Sequence, residues 1–276
     1  MLKSFTTLKK SDVTSIAIGG FDGLHTAHQK LISNLDSTGA LVVIDRGGVG
    51  LTPHEYRCRY TDKGCFLVDL EDIKGMDATS FVEYLQDEFI NLKKIVVGYD
   101  FRFAKDREGD SNLLKELFVG EVVVVKEITK DGISVHSIVI KDMLKLHDLV
   151  SVRSLLGRDY SISAKVIKGQ GIGNKELFAT LNLDIGEFFL PANGVYASFT
   201  KVDGIFKKSV TFIGNRVSTD GSFSVETHIL GLEISEVLDV EVRFIEFIRE
   251  NRKFESLCDL KVQIQEDIEK AYSILC

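Results

Sequence analysis

The sequence predicts an α/β, doubly wound domain followed by a mainly β domain. Three observations carry this expectation. Through the first half, short continuous apolar runs alternate with helical stretches, as in a parallel sheet covered on both faces. After Gly157 the texture changes to five or six strand-like runs separated by Gly, Asn and Asp, the spacing of an antiparallel barrel. A length of 276 residues suits two domains at about 150 residues each.

The elements follow in chain order. Ser15–Ile18 is a short apolar strand ending in Gly19-Gly20, and a helical stretch runs from about His25 to Leu35. Leu41–Ile44 is a second strand. Thr79–Ile90 has Phe81, Leu85 and Phe89 at i, i+4 and i+8, the spacing of one helix face. Lys94–Val97 is a strand opening into Gly98-Tyr99-Asp100, and Val122–Val125 is a run of valines. Ile140 to Leu156 reads as helices ending at Gly157. Ser161–Ile167, Gly194–Thr200, Phe206–Ile213, Ser222–Leu230 and Val237–Ile245 read as strands. A final amphipathic helix spans about Ser256 to Leu275, with Leu257, Leu260, Ile264, Ile268 and Tyr272 one or two turns apart. The boundary falls near residue 157, giving domains of 1–157 and 158–276.

Composition narrows the classes. Hydrophobic residues at 44% and charged residues at 27% exclude disorder as the main state. A net charge of -7, from 34 basic and 41 acidic side chains, argues against a nucleic-acid partner, which calls for an electropositive face. The chain has no run of 18 apolar residues, so no membrane span is expected, and MLKSFTTLKK lacks the apolar core of a signal peptide. The cysteines, Cys58, Cys65, Cys258 and Cys276, are scattered without a C-x-x-C pair. They read as reduced thiols in a cytoplasmic protein.

Two segments carry chemistry. The first, Gly19-Gly20-Phe21-Asp22-Gly23-Leu24-His25-Thr26-Ala27-His28, closes a strand and opens a helix. Its glycines let backbone approach a ligand closely, and a helix start offers N–H groups to phosphate. His25 and His28, three apart, share a helical face and can donate hydrogen bonds to charge developing on a phosphate chain. A capping or surface role and a metal site are the other readings of this pair, although no third ligand is evident. The second segment is Gly169-x-Gly171-x-Gly173 followed by Phe178-Ala179-Thr180-Leu181-Asn182. It is not a Walker A loop. The Thr180 hydroxyl and Asn182 amide, two apart on an extended segment, point to one side and suit magnesium or phosphate oxygens. Glu226 and His228 likewise share a face of their strand, which is either a site or a solvated surface.

These residues resemble a known family. Gly19 to His28 is similar to the H-x-G-H nucleotidyltransferase signature, in the G-x-F-D-G-x-H-x-G-H form of the bacterial bifunctional riboflavin kinase and FAD synthetase family. Val97-Gly98-Tyr99-Asp100-Phe101-Arg102-Phe103 resembles that family's G-Y-D-F-R-F-G, with Gly109-Asp110 following. The later blocks follow the riboflavin kinase order: the glycine loop, Phe178–Asn182, Pro191–Tyr196, Phe212–Arg216, Ser224–Ile229, then Arg249 before the last helix. The similarity covers nearly the whole chain.

The resemblance implies a nucleotidyltransferase domain and a six-stranded barrel with a terminal helix. The barrel would phosphorylate riboflavin to FMN, and the first domain would adenylylate FMN to FAD with release of pyrophosphate, both using ATP and Mg2+. It implies catalytic roles for His25 and His28, and nucleotide contacts from Gly19, Gly20, Phe21, Asp22, Gly23, Ser137 and Lys141. In the barrel it implies that Gly169, Gly171 and Gly173 contact ATP, that Thr180 and Asn182 hold magnesium-ATP, and that Glu226 is the general base. Asp100, Arg102 and Arg249 would line flavin sites. The partners are small molecules only.

The chain departs from the family in identifiable places. Ala27 replaces Gly in H-x-G-H, Ala104 replaces the Gly after Arg102-Phe103, and Ile44-Asp45-Arg46-Gly47-Gly48 stands where Phe-Glu-Pro-His-Pro is usual. Val135–Lys141 replaces I-S-S-T-x-x-R, keeping only Ser137 and a positive charge at Lys141, and lysine lacks arginine's bidentate fork. Weakened, altered or lost adenylyl transfer beside an intact kinase is therefore expected. The alternatives are a kinase whose first domain only binds nucleotide or flavin, and a flavin-responsive regulator, although no basic recognition helix is present.

Overall fold

Residues 15–19, 39–45, 64–69, 94–98 and 121–125 are short, rich in β-branched side chains and apolar on both faces, and they form one parallel sheet. In the computed structural model, which describes residues 2–168, 179–215, 221–231 and 237–276, these strands are β2 (Ser15–Gly19), β3 (Gly39–Asp45), β4 (Gly64–Asp69), β5 (Lys94–Gly98) and β6 (Glu121–Val125). A short β1 (Lys3–Ser4) pairs antiparallel with β4 at the edge. The order is β1-β4-β3-β2-β5-β6. The chain runs from β2 outward to β4, then returns to the other side of β2 at β5, so the direction of winding reverses between β2 and β5.

Period-two alternation sorts these strand residues onto two faces. Ile16, Ile18, Val42, Phe66, Val68 and Val97 join Phe81, Val82 and Leu85 of α3 (Ala78–Glu88) and Leu114 of α4 (Ser111–Leu117). Ala17, Leu41, Val43, Leu67 and Val96 face the other way, toward Leu31 of α1 (Thr26–Ile32) and toward Phe21 and Leu24. Helix α1 ends earlier than its apolar pattern suggests. Ser33 Oγ and Asn34 Nδ2 both donate back to the Lys30 carbonyl, competing with the main-chain ladder. Strand β4 was not among the expected strands, because its apolar run leads directly into α2 (Leu70–Ile73) and shows no break at the junction.

The hairpin of β7 (Thr129–Lys130) and β8 (Ile133–Ser134) is a further element that the apolar pattern does not show. Its Asp131-Gly132 turn has φ of 52° and 77°, the paired positive values of a two-residue hairpin turn. Two helices come next, α5 (Ser137–Lys145) and α6 (Leu149–Leu156), in the stretch expected to be helical. Asp148 caps α6 by accepting from Ser151 N, and Gly157 ends it in the left-handed conformation, φ 72°. The chain divides into two compact units, Met1–Ser137 and Ile138–Cys276, so most of α5 and all of α6 group with the barrel strands. The change of texture near residue 157 marks the start of the barrel.

The barrel is closed in the order β10-β13-β12-β11-β14-β9 and wholly antiparallel. Its strands are β9 (Tyr160–Ile167), β10 (Leu181–Asp184), β11 (Gly194–Val202), β12 (Ile205–Asn215), β13 (Phe223–Ile229) and β14 (Asp239–Arg249). Val195, Ala197, Val210 and Ile248 face outward and bury Ile268 and Ala271 of α7 (Leu257–Ile274) together with Leu275, its C-cap. The alternate residues of β11, β12 and β13 face inward and carry hydroxyls. Ser198, Ser209, Thr200, Thr227 and Thr211 form a closed ring of hydrogen bonds between 2.7 and 3.0 Å, and all five are fully buried. Each hydroxyl can donate one bond and accept one, so the ring meets the polar needs of its members without water. Replacing Thr211 by the isosteric Val leaves two neighbours short of a partner. Thr211→Val is expected to lower stability by about 1–3 kcal/mol in urea unfolding, and an unchanged midpoint would show that the ring contributes nothing.

The cysteine expectation needs correcting. Cys58 and Cys65 are disulfide-bonded, with Cα atoms 5.7 Å apart, and only Cys258 and Cys276 are free thiols. Sequence spacing could not reveal this. The pair forms because the start of β4 packs against the short 3-10 helix at His54–Tyr60. A thiol titration of the native chain should count two reactive cysteines, rising to four after reduction.

Candidate active sites

The glycine turn lies where the winding reverses, at the carboxyl end of β2 and beside that of β5, the place where open α/β sheets bind ligands. The turn is tight and strained: Phe21 and Leu24 have φ of 50° and 36°, and Leu24 N donates to Phe21 O. Full burial of Phe21 and Leu24 holds it in place. A clasp from the loop after β3 secures it further. Thr52 N donates to Asp22 Oδ1 at 3.0 Å, and Gly23 N donates to Thr52 Oγ1 at 2.7 Å. Ser137 Oγ donates to Asp22 O at 2.7 Å, which brings this remnant of the second signature to the turn.

His25 is the N-cap of α1 rather than a member of its face. Its Nδ1 accepts from His28 N at 3.4 Å. A neutral ring that accepts at Nδ1 carries its proton on Nε2. The two imidazoles stack at 3.6 Å with 15° between planes, and Phe21 lies 5.1 Å from His28. Burial, then the neighbouring His25, Arg57 and His136, push the His28 pKa well below its usual 6.5. The folded protein therefore holds His28 neutral, as a hydrogen-bonding group and not as a cation.

One group near these side chains escapes the sequence reading. Asp45, at the end of β3, is buried and accepts from Arg57 Nη1 at 2.9 Å, while its Oδ2 lies 2.6 Å from His54 Nδ1. These two contacts hold its carboxyl below the ordinary carboxylate range despite burial. Ile44–Gly48 departs from the family pattern, so no motif points to it. A carboxylate at the carboxyl end of a strand next to the glycine turn is the available signal.

The remaining candidates are Asp100 and Arg102, in the loop after β5, and Lys141. Asp100 is exposed, and Arg102 faces Asp110 at 3.4 Å. Tyr99 and His136, at 3.1 Å, join the loop after β5 to the loop before α5. Lys141 belongs to the second unit, with its ammonium 5.7 Å above the Phe189 ring.

Strand pairing assembles the second constellation. Asn182 of β10 stands directly opposite Glu226 of β13. Thr180 Oγ1 donates to Glu226 Oε2 at 3.2 Å, and Ser224 Oγ donates to Oε1 at 3.0 Å. His228 Nδ1 meets Ala179 O at 2.7 Å, holding the segment before β10 against β13. Thr227, between Glu226 and His228, points into the hydroxyl ring, so Glu226 is on the outward face of the barrel. Arg249 is engaged away from this group, in a two-pronged pair with the buried Asp267 of α7. Gly169, Gly171 and Gly173 lie outside the described residues.

Comparison with known proteins places these two sites in context. The riboflavin kinase family model matches residues 156–275, and the FAD synthetase model matches residues 62–139. A bifunctional riboflavin kinase/FMN adenylyltransferase of Buchnera aphidicola subsp. Schizaphis graminum is 30% identical over 98% of this chain and 96% of its own. The protein of that name from Escherichia coli K12 is 28% identical over 91% of this chain and 90% of its own. Among solved structures, one titled a macrolide-efflux protein from Streptococcus pneumoniae has the same fold, with TM-score 0.83 at 21% identity over 96% of this chain and 97% of that one. The chain belongs to the bifunctional riboflavin kinase/FMN adenylyltransferase family.

Neutral His28 gives the fold a defined response to acid. Its folded pKa is depressed, so the unfolded chain takes up this proton first, and the associated stability is full above pH 6.5 and declines as pH falls below it. Between about pH 7.5 and about pH 5.5 the melting temperature should fall further in the native chain than in His28→Asn. Parallel curves for the two would exclude the effect.

Proposed function

We propose that this chain performs two consecutive ATP-dependent steps, riboflavin to FMN in the barrel and FMN to FAD in the α/β domain. One observation carries the reading: a relative with both activities in its name aligns across 98% of the chain, and each unit has its own assembled polar site. In the first step the riboflavin 5′-hydroxyl attacks the γ-phosphorus of ATP, and ADP leaves. Glu226 takes the hydroxyl proton, held in position by Thr180 and Ser224. Phosphoryl transfer has a loose transition state, so the base mainly orients the nucleophile.

The donors at this site suit Mg2+. The Thr180 hydroxyl, the Asn182 amide and one carboxylate are hard oxygen donors close together, and such a cation completes its shell with water and phosphate oxygens. When bound, it would neutralise phosphate charge. Among the described residues no cluster of three or more His, Cys, Asp or Glu offers an all-protein cage.

In the second step an FMN phosphate oxygen attacks the α-phosphorus of ATP, and pyrophosphate leaves. The chain supplies position and charge. The Gly19–Gly23 turn brings backbone close to the phosphates, and His25 and His28 donate to oxygens that gain charge. Asp22 sets the turn, and Ser137 buttresses it. Asp100 and Arg102, in the loop after β5, line the flavin side. The riboflavin kinase domain is assigned to 158–276 and the adenylyltransferase domain to 1–157.

Both steps use ATP, which supports a cytoplasmic location, and their partners are the small molecules riboflavin, FMN and ATP. No described helix is long and apolar enough to cross a membrane. Glu226→Gln keeps the shape of the side chain and removes the base. FMN formation from riboflavin should fall ~10²–10⁴-fold while FAD formation from FMN is unchanged, as separated by chromatography of the flavins. Near-normal phosphorylation by this variant would overturn the assigned base.

A further inference from the structure

We propose that Arg57 is a phosphate-binding residue of the adenylyl-transfer site, contributing the planar, permanently charged group that lysine at position 141 does not provide. The inference rests on the bifunctional reading above and adds to it a residue outside the signatures that led there.

Four observations support it. First, Arg57 is only 5% exposed, yet its Nε–H has no acceptor among the described residues. Buried polar groups are almost always paired, and an unmet N–H on a charged group calls for a partner that binds later. Second, the deficit is shared. His28 Nδ1 and Thr26 Oγ1, on the helix that opens from the glycine turn, are also buried without partners. Third, the segment that carries Arg57 is secured to the turn by the Thr52 clasp on Asp22 and Gly23. The charge of Arg57 is also felt at His28, where it helps keep the ring neutral. Fourth, Arg57 is oriented. Asp45 Oδ1 holds Nη1, and Asp45 is itself fixed by His54 and by Gly47 N at 3.1 Å.

Stability alone accounts poorly for this arrangement. Removing two charges from water often costs as much as their attraction returns, and apolar side chains of similar volume commonly serve a core better. A guanidinium held along one edge by a carboxylate, with Nε–H unused, is suited to a phosphate oxygen of a nucleoside triphosphate. The step is binding only, with no bond made or broken at Arg57.

The test uses the full chain and two variants, Arg57→Lys and Arg57→Met. Steady-state FAD formation from FMN and ATP is measured with KM for each substrate, alongside riboflavin phosphorylation and the melting temperature. Arg57→Lys keeps the charge beside Asp45, and its kcat/KM for ATP in FAD formation should fall ~10²–10³-fold. KM for FMN, riboflavin phosphorylation and melting should be unchanged. Added guanidinium ion should restore part of the activity of Arg57→Met. FAD formation at the native rate by Arg57→Lys would overturn the proposal. So would a loss that tracks a lowered melting temperature and is not rescued by guanidinium, since Arg57 would then be structural. Absence of FAD with the unaltered chain is a separate outcome: it would overturn the bifunctional reading, and this proposal with it.

Discussion

The parallel pairing of β2 with β3 on one side and β5 on the other is the constraint on which the first site depends. It places the carboxyl ends of three strands together: Gly19 at the end of β2, Asp45 at the end of β3 and Gly98 at the end of β5. Because the winding reverses there, the connections that follow β2 and β5 run to opposite sides, which opens a crevice at their carboxyl ends. The glycine turn occupies its rim. Its positive-φ residues persist because Phe21 and Leu24 are buried beneath it and Thr52 clasps it from the side. Strain in the turn and burial beneath it are thus two sides of one arrangement, which positions the imidazoles.

The barrel reaches the same end by different means. Antiparallel pairing of β10 with β13 sets Asn182 across from Glu226, and the period of two decides which side chains face out. A one-residue slip of β13 would turn Glu226 inward and expose Thr227. The hydroxyl ring resists that slip, since Thr227 meets Thr200 and Thr211 only in the observed register. A polar interior therefore specifies alignment in a barrel whose outward face carries Asn182 and Glu226. The Arg249–Asp267 pair plays a comparable part at the other contact, tying β14 to α7.

Electrostatics at the first site combine a neutral imidazole with a buried ion pair. His28 is kept neutral by burial and by positive neighbours, while Asp45 is kept ionised by His54 and Arg57. A neutral imidazole donates a hydrogen bond without attracting a static counterion, and a guanidinium already in place need not reorganise as charge develops. Position and preorganised charge are what nucleotidyl transfer requires of a protein when no covalent intermediate forms.

Much of this was legible in the amino-acid order. Periodicity separated the α/β half from the barrel, and the glycine turn, the histidine pair, Thr180, Asn182 and Glu226 stand in motifs that the family resemblance marks as candidate sites. Strand β4 and the Asp131-Gly132 hairpin escaped because an apolar run merged with a helix in one case and the strands were only two residues long in the other. The disulfide between Cys58 and Cys65, the Asp45–Arg57 pair and the hydroxyl ring belong to tertiary structure alone. Each joins residues of different elements, and only the packing of those elements decides which groups lose water and must find one another. The sequence by itself determined which chemical groups the chain owns and the local period of each segment. The fold decided which of them meet, because burial and strand register are properties of the assembled sheet and barrel.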